Sequence, residues 1–382
     1  MRKRLKVVCA MSGGLDSSVA AALLKRAGFD VIGVFMKFWT PPKEIRNDFV
    51  ENRCCSLDSE VRARKVANIL RIPFYVFDFS KEFKQKIVDY FLEGYKRGIT
   101  PNPCVFCNKE IKFGLLLEKA LKIDADFVAT GHYAKKIQTS KYNSKFKIFR
   151  LLRAKDENKD QSYFLWMLNQ EQLKRILFPI GDYKREEVEE LARKFNLPVV
   201  GIKKSVEICF IPKTVNDFLK DYLKEKPGLI VERVSVRENE KKLNTEQNGE
   251  SSSNLKVLGK HQGLWFYTIG QRKGISLSGG PYWVIEKDLQ RNFLVVTRKE
   301  EDLFRKELFF ENVNFISQEQ IKFPLKVEIK IRYRSDFAKA TILKEKPYKY
   351  KAIFEEPQRA ITPGQSVVFY RGREVLGGGI IC

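Results

Sequence analysis

The stretch that most constrains this chain is Ser12-Gly13-Gly14-Leu15-Asp16-Ser17-Ser18, set between an apolar run, Leu5 to Met11, and an alanine-rich segment, Val19 to Ala27. The run before it reads as a buried strand and the segment after it as a helix, so the loop sits where a strand hands over to a helix N-terminus. Gly13 and Gly14 reach backbone angles closed to other residues, which lets successive N–H groups converge on an anion. Ser12, Ser17 and Ser18 add hydroxyl donors, and the helix dipole adds partial positive charge. Asp16 is a poor phosphate neighbour unless a cation bridges the two, which points to Mg2+. The loop has no Gly-Lys-Ser/Thr ending and no G-x-G-x-x-G, so it is neither a Walker loop nor a dinucleotide fingerprint. A plain strand-to-helix turn capped by serine would use the same residue types.

Short apolar runs alternate with helical spacing as far as about residue 200. Leu5–Met11, Val31–Met36, Pro73–Phe79 and Phe127–Thr130 are the runs; Ser56–Leu70, Lys81–Tyr95 and Glu110–Leu121 are the helices. This predicts an α/β fold, a doubly wound parallel sheet covered on both faces, with ligands outside the carboxyl ends of its strands. Ala10, Met11, Met36 and Gly131 then join the loop on one rim as adenine contacts, although Met36 serves equally as core packing. The alternation ends at Pro212. Residues 213–280 are expected to form a small central domain carrying a mobile polar loop over 238–254, which lacks the apolar residues to bury a core. From 281 to 382 short β-type runs recur, among them Pro281–Glu286, Phe293–Thr297, Leu325–Tyr333 and Ser366–Tyr370, and predict a small C-terminal barrel.

Charge points to a polyanionic partner. Lys+Arg 71 against Asp+Glu 47 leaves +24, which favours nucleic acid, a lysine-rich solvated surface being the plainer account. The span Ile321–Ile353 concentrates this excess, with ten Lys/Arg against three Asp/Glu and Tyr333, Tyr348 and Tyr350 interleaved. That suits a face tracking phosphates. No apolar run is long enough to cross a membrane and no secretory signal precedes the first strand, so the expected location is cytosolic. Seven cysteines at scattered spacing argue for a reducing compartment and thiol chemistry rather than a disulfide framework. The two histidines, His132 and His261, are too few for a multi-histidine zinc site.

The second chemical stretch is Thr100-Pro101-Asn102-Pro103-Cys104-Val105-Phe106-Cys107. Its prolines fix an extended entry, and Cys104 and Cys107 point to one side at a helix start, where the dipole is expected to lower a thiol pKa. Alone, C-x-x-C fits half a zinc site with Cys54-Cys55, a redox pair or iron–sulfur ligands. Residues 135–153 read as a hairpin around Tyr142-Asn143, followed by Lys159-Asp160-Gln161-Ser162-Tyr163-Phe164, a mix of basic and aromatic residues that suits an RNA rim. Cys209, within Ile208–Ile211, reads as a buried, inert thiol on a strand.

The loop resembles that of the PP-loop ATP pyrophosphatases, in which it grips the pyrophosphate of ATP while a substrate oxygen takes up AMP. Over nearly the whole chain the motifs SGGLDSSVAA, GVFMKFW, TPNPCVFCNKEIKF, ATGHYA, KDQSYFL, FPIGDY, EICFIP, GLWFYTIGQRKG and AITPGQSVVFY resemble the tRNA-specific 2-thiouridylases. The resemblance implies ATP and Mg2+ as cofactors and the wobble uridine of glutamate, lysine and glutamine tRNAs as the target, adenylated at O2 before sulfur replaces the oxygen. It implies a persulfide on Cys209 and a partner nucleophile at Cys107, a disulfide between the two during turnover, and a separate sulfur-donor protein. Asn102, Pro103 and Cys104 match the stretch that meets the target base. His132, Lys159, Asp160, Gln161, Arg332, Tyr333 and Gln365 match tRNA contacts.

Several positions depart from that family. Cys104 stands where many members carry aspartate, Leu15 replaces valine, and Lys204 and Val206 replace residues that usually precede the sulfur-carrying cysteine. Three thiols, Cys104, Cys107 and Cys209, could instead hold a [4Fe–4S] cluster that carries the sulfur. Rival readings are an amidating PP-loop synthetase, which needs no paired thiols, and a basic RNA-binding module with a structural zinc clip.

Overall fold

A computed structural model of the chain describes residues 4–42, 56–140, 147–201, 208–233, 255–317 and 321–382. Cys54, Cys55, the hairpin tip at Tyr142-Asn143, Lys204, Val206 and the polar stretch 238–254 lie outside the described residues.

The first sheet is built from β1 (Lys6–Ala10), β2 (Asp30–Lys37), β3 (Phe74–Asp78) and β4 (Phe127–Ala129). After the hairpin strands β5 (Lys135–Ser140) and β6 (Lys147–Leu152), β7 (Ile176–Leu177) completes it. The order is β3-β2-β1-β4-β7, all parallel. Period-two alternation sends Val8, Ala10 and Val34 into one core and Val7, Cys9, Met11 and Phe35 into another on the opposite face. Val7, Val8 and Cys9 are wholly buried, and each such valine stabilises the fold by roughly 1.5–3 kcal/mol. The chain leaves β1 toward β2 on one side while β4 lies on the other, so strand order reverses beside β1. The loop after β1 and Gly131 after β4 therefore share the crevice where an open parallel sheet binds its ligand.

The helix Leu57–Leu70 starts where expected, its N-cap Ser56 accepting from the Ser59 N–H at 3.2 Å. The helix expected from Glu110 instead begins at Pro103, a residue tolerated at the first helical position because no N–H is needed there. It is wound as a π-helix over Cys107–Leu115 before reverting to α over Leu116–Lys122.

In the central domain β8 (Gly228–Arg233), β9 (Leu255–His261), β10 (Trp283–Asp288) and β11 (Phe293–Thr297) form a sheet in the order β10-β11-β8-β9. The two runs 281–286 and 293–297 thus belong here and not to the barrel, which corrects the expected boundary at 280. Short strands at similar spacing look alike in sequence, and only the long-range parallel pairing of β11 with β8 assigns them. The barrel proper uses β12 (Phe304–Phe315), β13 (Leu325–Lys330), β14 (Ala338–Lys346), β15 (Lys349–Arg359), β16 (Ser366–Arg371) and β17 (Glu374–Ile381). Pairing of β12 with β17 closes these six strands into a ring. The hairpin β5–β6 continues the barrel sheet through β17, so a piece of the first domain is hydrogen-bonded to the last. No helix among the described residues is long and apolar enough to cross a membrane.

Candidate active site

The loop after β1 is held open by its own hydroxyls. Ser17 Oγ accepts from the Ser12 N–H at 3.1 Å, lies 3.2 Å from Ser12 Oγ and donates to the Gly14 carbonyl, to which Ser18 Oγ also donates at 2.8 Å. Gly13 has φ +71°, and a Cβ there would fall 2.1 Å from the Ser59 carbonyl oxygen. Gly131 is pressed as closely on the helix start, where a Cβ would lie 2.5 Å from the Ser17 nitrogen. Both positions therefore require glycine. Leu15 is buried with Met11 in one core, while Ala10 is buried in the core on the opposite face, against which Met36 is half-buried. This cradle fits the phosphates of ATP.

Asp16 is engaged within the protein. Its Oδ1 accepts from Arg185 Nη1 at 2.7 Å and from the Tyr133 hydroxyl at 2.9 Å, and Arg185 Nε donates in turn to Glu189 at 2.9 Å. The Tyr133 N–H donates to Gln161 Oε1 at 3.0 Å, which ties the second basic-aromatic stretch to the nucleotide loop. Sequence reasoning missed Arg185 and Tyr133. Tyr133 lies inside the quoted ATGHYA motif, but only the fold brings Arg185, at the start of the helix Arg185–Lys194, to Asp16.

The thiols gather at one core, near enough to act on one another electrostatically. Cys107 is buried in the core that Cys209 and Phe106 pack against, together with Phe210 and Ile211 from a segment a hundred residues away. Ile208–Ile211 forms a turn and not the expected strand, with the Ile211 N–H donating to the Ile208 carbonyl, and Cys209 is half-buried. The expected low thiol pKa is overturned as well. Burial, reinforced by a charged Cys209 and partly offset by Lys112, pushes Cys104 up to about 11. Burial outweighs Lys112 at Cys107 and pushes it up to about 12, with Cys209 and Cys104 adding to the rise. A helix N-terminus acts only over its first turn, and desolvation of a thiolate exceeds it here.

Lys112, also missed, is the cation whose charge favours both thiolates and opposes protonation of His132. It lies five residues beyond Cys107, and the i→i+5 winding of a π-helix brings such a residue roughly one turn above. Among the described residues no three His, Cys, Asp or Glu side chains gather where a metal could sit. The iron–sulfur ligand set of Cys104, Cys107 and Cys209 considered from the sequence therefore gains no support from the described residues. Spacing in the chain carries no information on where the third thiol points.

The residues matched to tRNA contacts divide. His132 is buried between Phe113 and Phe178, its Nδ1 2.8 Å from Thr130 Oγ1; burial first, then Lys112, lowers its pKa well below the usual value, so it is neutral at pH 7. Asp160 is buried and accepts from the Ala154 N–H at 2.9 Å and from Ser162 Oγ at 2.8 Å, organising its loop. Lys159 is half-buried beside it. Tyr333 stacks on Phe164 at 4.5 Å, and Phe164's carbonyl accepts from Asn108 Nδ2 at 3.1 Å. Arg332 donates to the carbonyls of Arg359 and Ala360, and Lys330 lies over the Phe337 ring. That part of the basic span is thus tied into the fold, whereas Arg334 is exposed. Gln365 Nε2 donates to the Thr100 carbonyl at 2.8 Å and the Thr100 N–H donates to the Pro363 carbonyl. The barrel thereby clamps the segment leading to Asn102, Pro103 and Cys104.

Three family models match in succession: a tRNA methyl transferase HUP domain over residues 5–213, the PRC-barrel domain of the same group over 216–298, and an aminomethyltransferase beta-barrel domain over 305–381. The chain is 45% identical over 380 residues to a tRNA-specific 2-thiouridylase MnmA of Clostridium perfringens, covering 98% of each chain. It is 44% identical to one of Carboxydothermus hydrogenoformans over 99% of this chain and 98% of that one. A third, MnmA 1 of Caldanaerobacter subterraneus subsp. tengcongensis, is 47% identical with 98% and 97% covered. A nucleotide cradle of the PP-loop kind, paired thiols beside it and full-length identity of this order lead to one conclusion: the chain belongs to the family of tRNA-specific 2-thiouridylases, sulfur-transferring enzymes of the MnmA type.

Proposed function

We propose that the protein replaces O2 of the wobble uridine in glutamate, lysine and glutamine tRNAs with sulfur, at the expense of ATP, in the cytoplasm. The observation that carries this reading is the packing of Cys107 and Cys209 against one core from distant segments, close enough that charge on one raises the pKa of the other. The loop Ser12–Ser18 holds the ATP phosphates, with Asp16 the residue to take Mg2+ once Arg185 releases it. O2 of the uracil attacks the α-phosphorus and pyrophosphate departs, which makes C2 electrophilic.

A persulfide on Cys209, loaded by a donor protein, supplies its terminal sulfur to C2, and AMP leaves with the original oxygen. Cys107 then attacks the inner sulfur of Cys209, the S–S bond to the transferred sulfur breaks, and its electron pair stays with the sulfur that becomes the thiocarbonyl. The two cysteines end as a disulfide, which a thiol reductant returns to the resting state. High resting pKa values suit this order, because a neutral Cys107 does not consume persulfide before the substrate arrives. Lys112 is the charge that favours its ionisation.

The test is nucleoside analysis of tRNA incubated with the protein, ATP, Mg2+ and a persulfide donor. ATP-dependent 2-thiouridine is expected. Turnover that survives Cys107→Ser and Cys209→Ser would instead identify an amidating enzyme.

A further inference from the structure

The run Gly263-Leu264-Trp265-Phe266-Tyr267-Thr268-Ile269-Gly270-Gln271-Arg272-Lys273-Gly274 has no part in the chemistry above, yet its last three residues, with residues 275–277 and 280–282, line a cleft of about 590 Å³ in the central domain. Arg272 and Lys273 are exposed, Ile275 and Tyr282 are buried and Leu277 is half-buried, and no carboxylate lines the cleft among the described residues. The Arg272 guanidinium lies 5.7 Å from the centre of the Trp283 ring, a contact through the ring face that is compatible with its N–H groups meeting an oxyanion. The nearby carboxylates are already paired, Glu232 with Arg298 and Glu286 with Arg233. The loop is pinned at its neck, where the Gly270 N–H donates to Val284 and the Val284 N–H donates to Gln271. Within it Ser276 holds φ +57°, a conformation that a side-chain-bearing residue adopts only where the surroundings enforce it.

Two placements say what such a cleft is for. Ile275 and Tyr282 belong to the core that includes Cys107, with Leu277 and Cys209 packed on its edge, so the cleft is built on the frame of the thiol site. A Cβ on Gly270 would lie 2.6 Å from Ala360 Cβ and 3.7 Å from Arg359 Nη1, so the loop also abuts the barrel strand end to which Arg332 donates. We propose that this cleft is a phosphodiester subsite for single-stranded RNA, holding a backbone phosphate of a nucleotide that flanks the uridine under reaction. Extruding a base from its stack leaves the adjacent phosphates exposed and needing a fixed counter-charge. The inference rests on the thiolation reading for the identity of the RNA.

The test uses the full-length protein, an anticodon stem-loop and the Arg272→Gln, Lys273→Gln double variant. The variant is expected to bind the stem-loop roughly tenfold more weakly, with a salt slope shallower by about 0.7 for each phosphate lost, and to bind ATP as before. Methylphosphonate linkages on either side of the uridine should weaken wild-type binding to a similar degree and barely affect the variant further. The double exchange Arg272→Lys, Lys273→Arg should restore most of the affinity. Equal affinity and slope in wild type and Gln variant, or losses from the two perturbations that simply multiply, would overturn the subsite alone. A wild-type protein that binds no stem-loop would overturn the thiolation reading and this proposal together.

Discussion

The nucleotide loop and the thiol site are made in opposite ways. The loop is local: Ser12, Ser17, Ser18 and Gly14 bond to one another within seven residues, and glycine at 13 is dictated by φ +71° and a neighbouring carbonyl. The thiol site is assembled from the helix Pro103–Phe106, its π-wound continuation and a turn around residue 209, and its properties come from burial. Local hydrogen-bonded loops make chemistry that sequence can announce. Desolvated sites make chemistry that depends on what packs around them.

The largest expected effects separate the two halves. Cys209→Ser should lower thiolation by about a thousandfold or more while leaving tRNA-stimulated pyrophosphate release within a few-fold; Asp16→Ala should abolish pyrophosphate release, and thiolation with it, while tRNA affinity is retained. Loss of pyrophosphate release in Cys209→Ser, or loss of tRNA binding in Asp16→Ala, would break the separation. Gly13→Ala should cost more than about 1–2 kcal/mol in denaturant unfolding, since a left-handed angle and a backbone clash act together.

Arg185→Ala strips Asp16 of its charged partner and leaves the Tyr133 hydroxyl. With Asp16 partly exposed, the stability cost is expected to be about 1 kcal/mol. The affinity for ATP should fall roughly tenfold at low Mg2+ and recover as Mg2+ is raised, because the metal takes over the carboxylate. Unchanged ATP binding at every Mg2+ level would show that the pair is only structural.

The thiols give a pH test. Burial raises Cys104 to about 11 and Cys107 to about 12, above the usual thiol value, so both are neutral at pH 7 in the resting protein. Their contribution to stability is complete below the unfolded pKa and is lost as pH rises through 11 to 12. Alkylation of Cys107 should therefore still be accelerating beyond pH 10, and Lys112→Met should slow it several-fold further. A plateau near pH 9 would show an ordinary exposed thiol. At the small end, Leu15→Val should cost less than about 1.5 kcal/mol and spare activity. A larger loss would mean that the loop depends on core shape as much as on its own hydrogen bonds.

Much of the fold was legible because its signals are periodic and short-range. The first four parallel strands, the helix capped by Ser56 and the barrel strands beginning at Leu325 and Ser366 follow from residue pattern. What was not legible is non-local or energetic. Trp283–Thr297 joined the central sheet through a parallel partner some sixty residues earlier, Cys209 sits on a turn because flanking apolar residues serve a core from a bend as well as from a strand, and the thiol pKa values reversed because a helix start can also be buried. Arg185 had no sequence signal, since one arginine among many carries no mark of the aspartate it will meet.

The hairpin β5–β6 belongs to the first domain in sequence yet extends the sheet of the last. Such stitching makes the protein a poor source of interchangeable parts. A barrel borrowed from elsewhere would have to offer β6 a matching free edge and return a Pro363–Gln365 clasp to Thr100. Recombination should therefore be tolerated least where the three regions look most separable in sequence, and natural variation is expected to accumulate by substitution within a conserved order of domains.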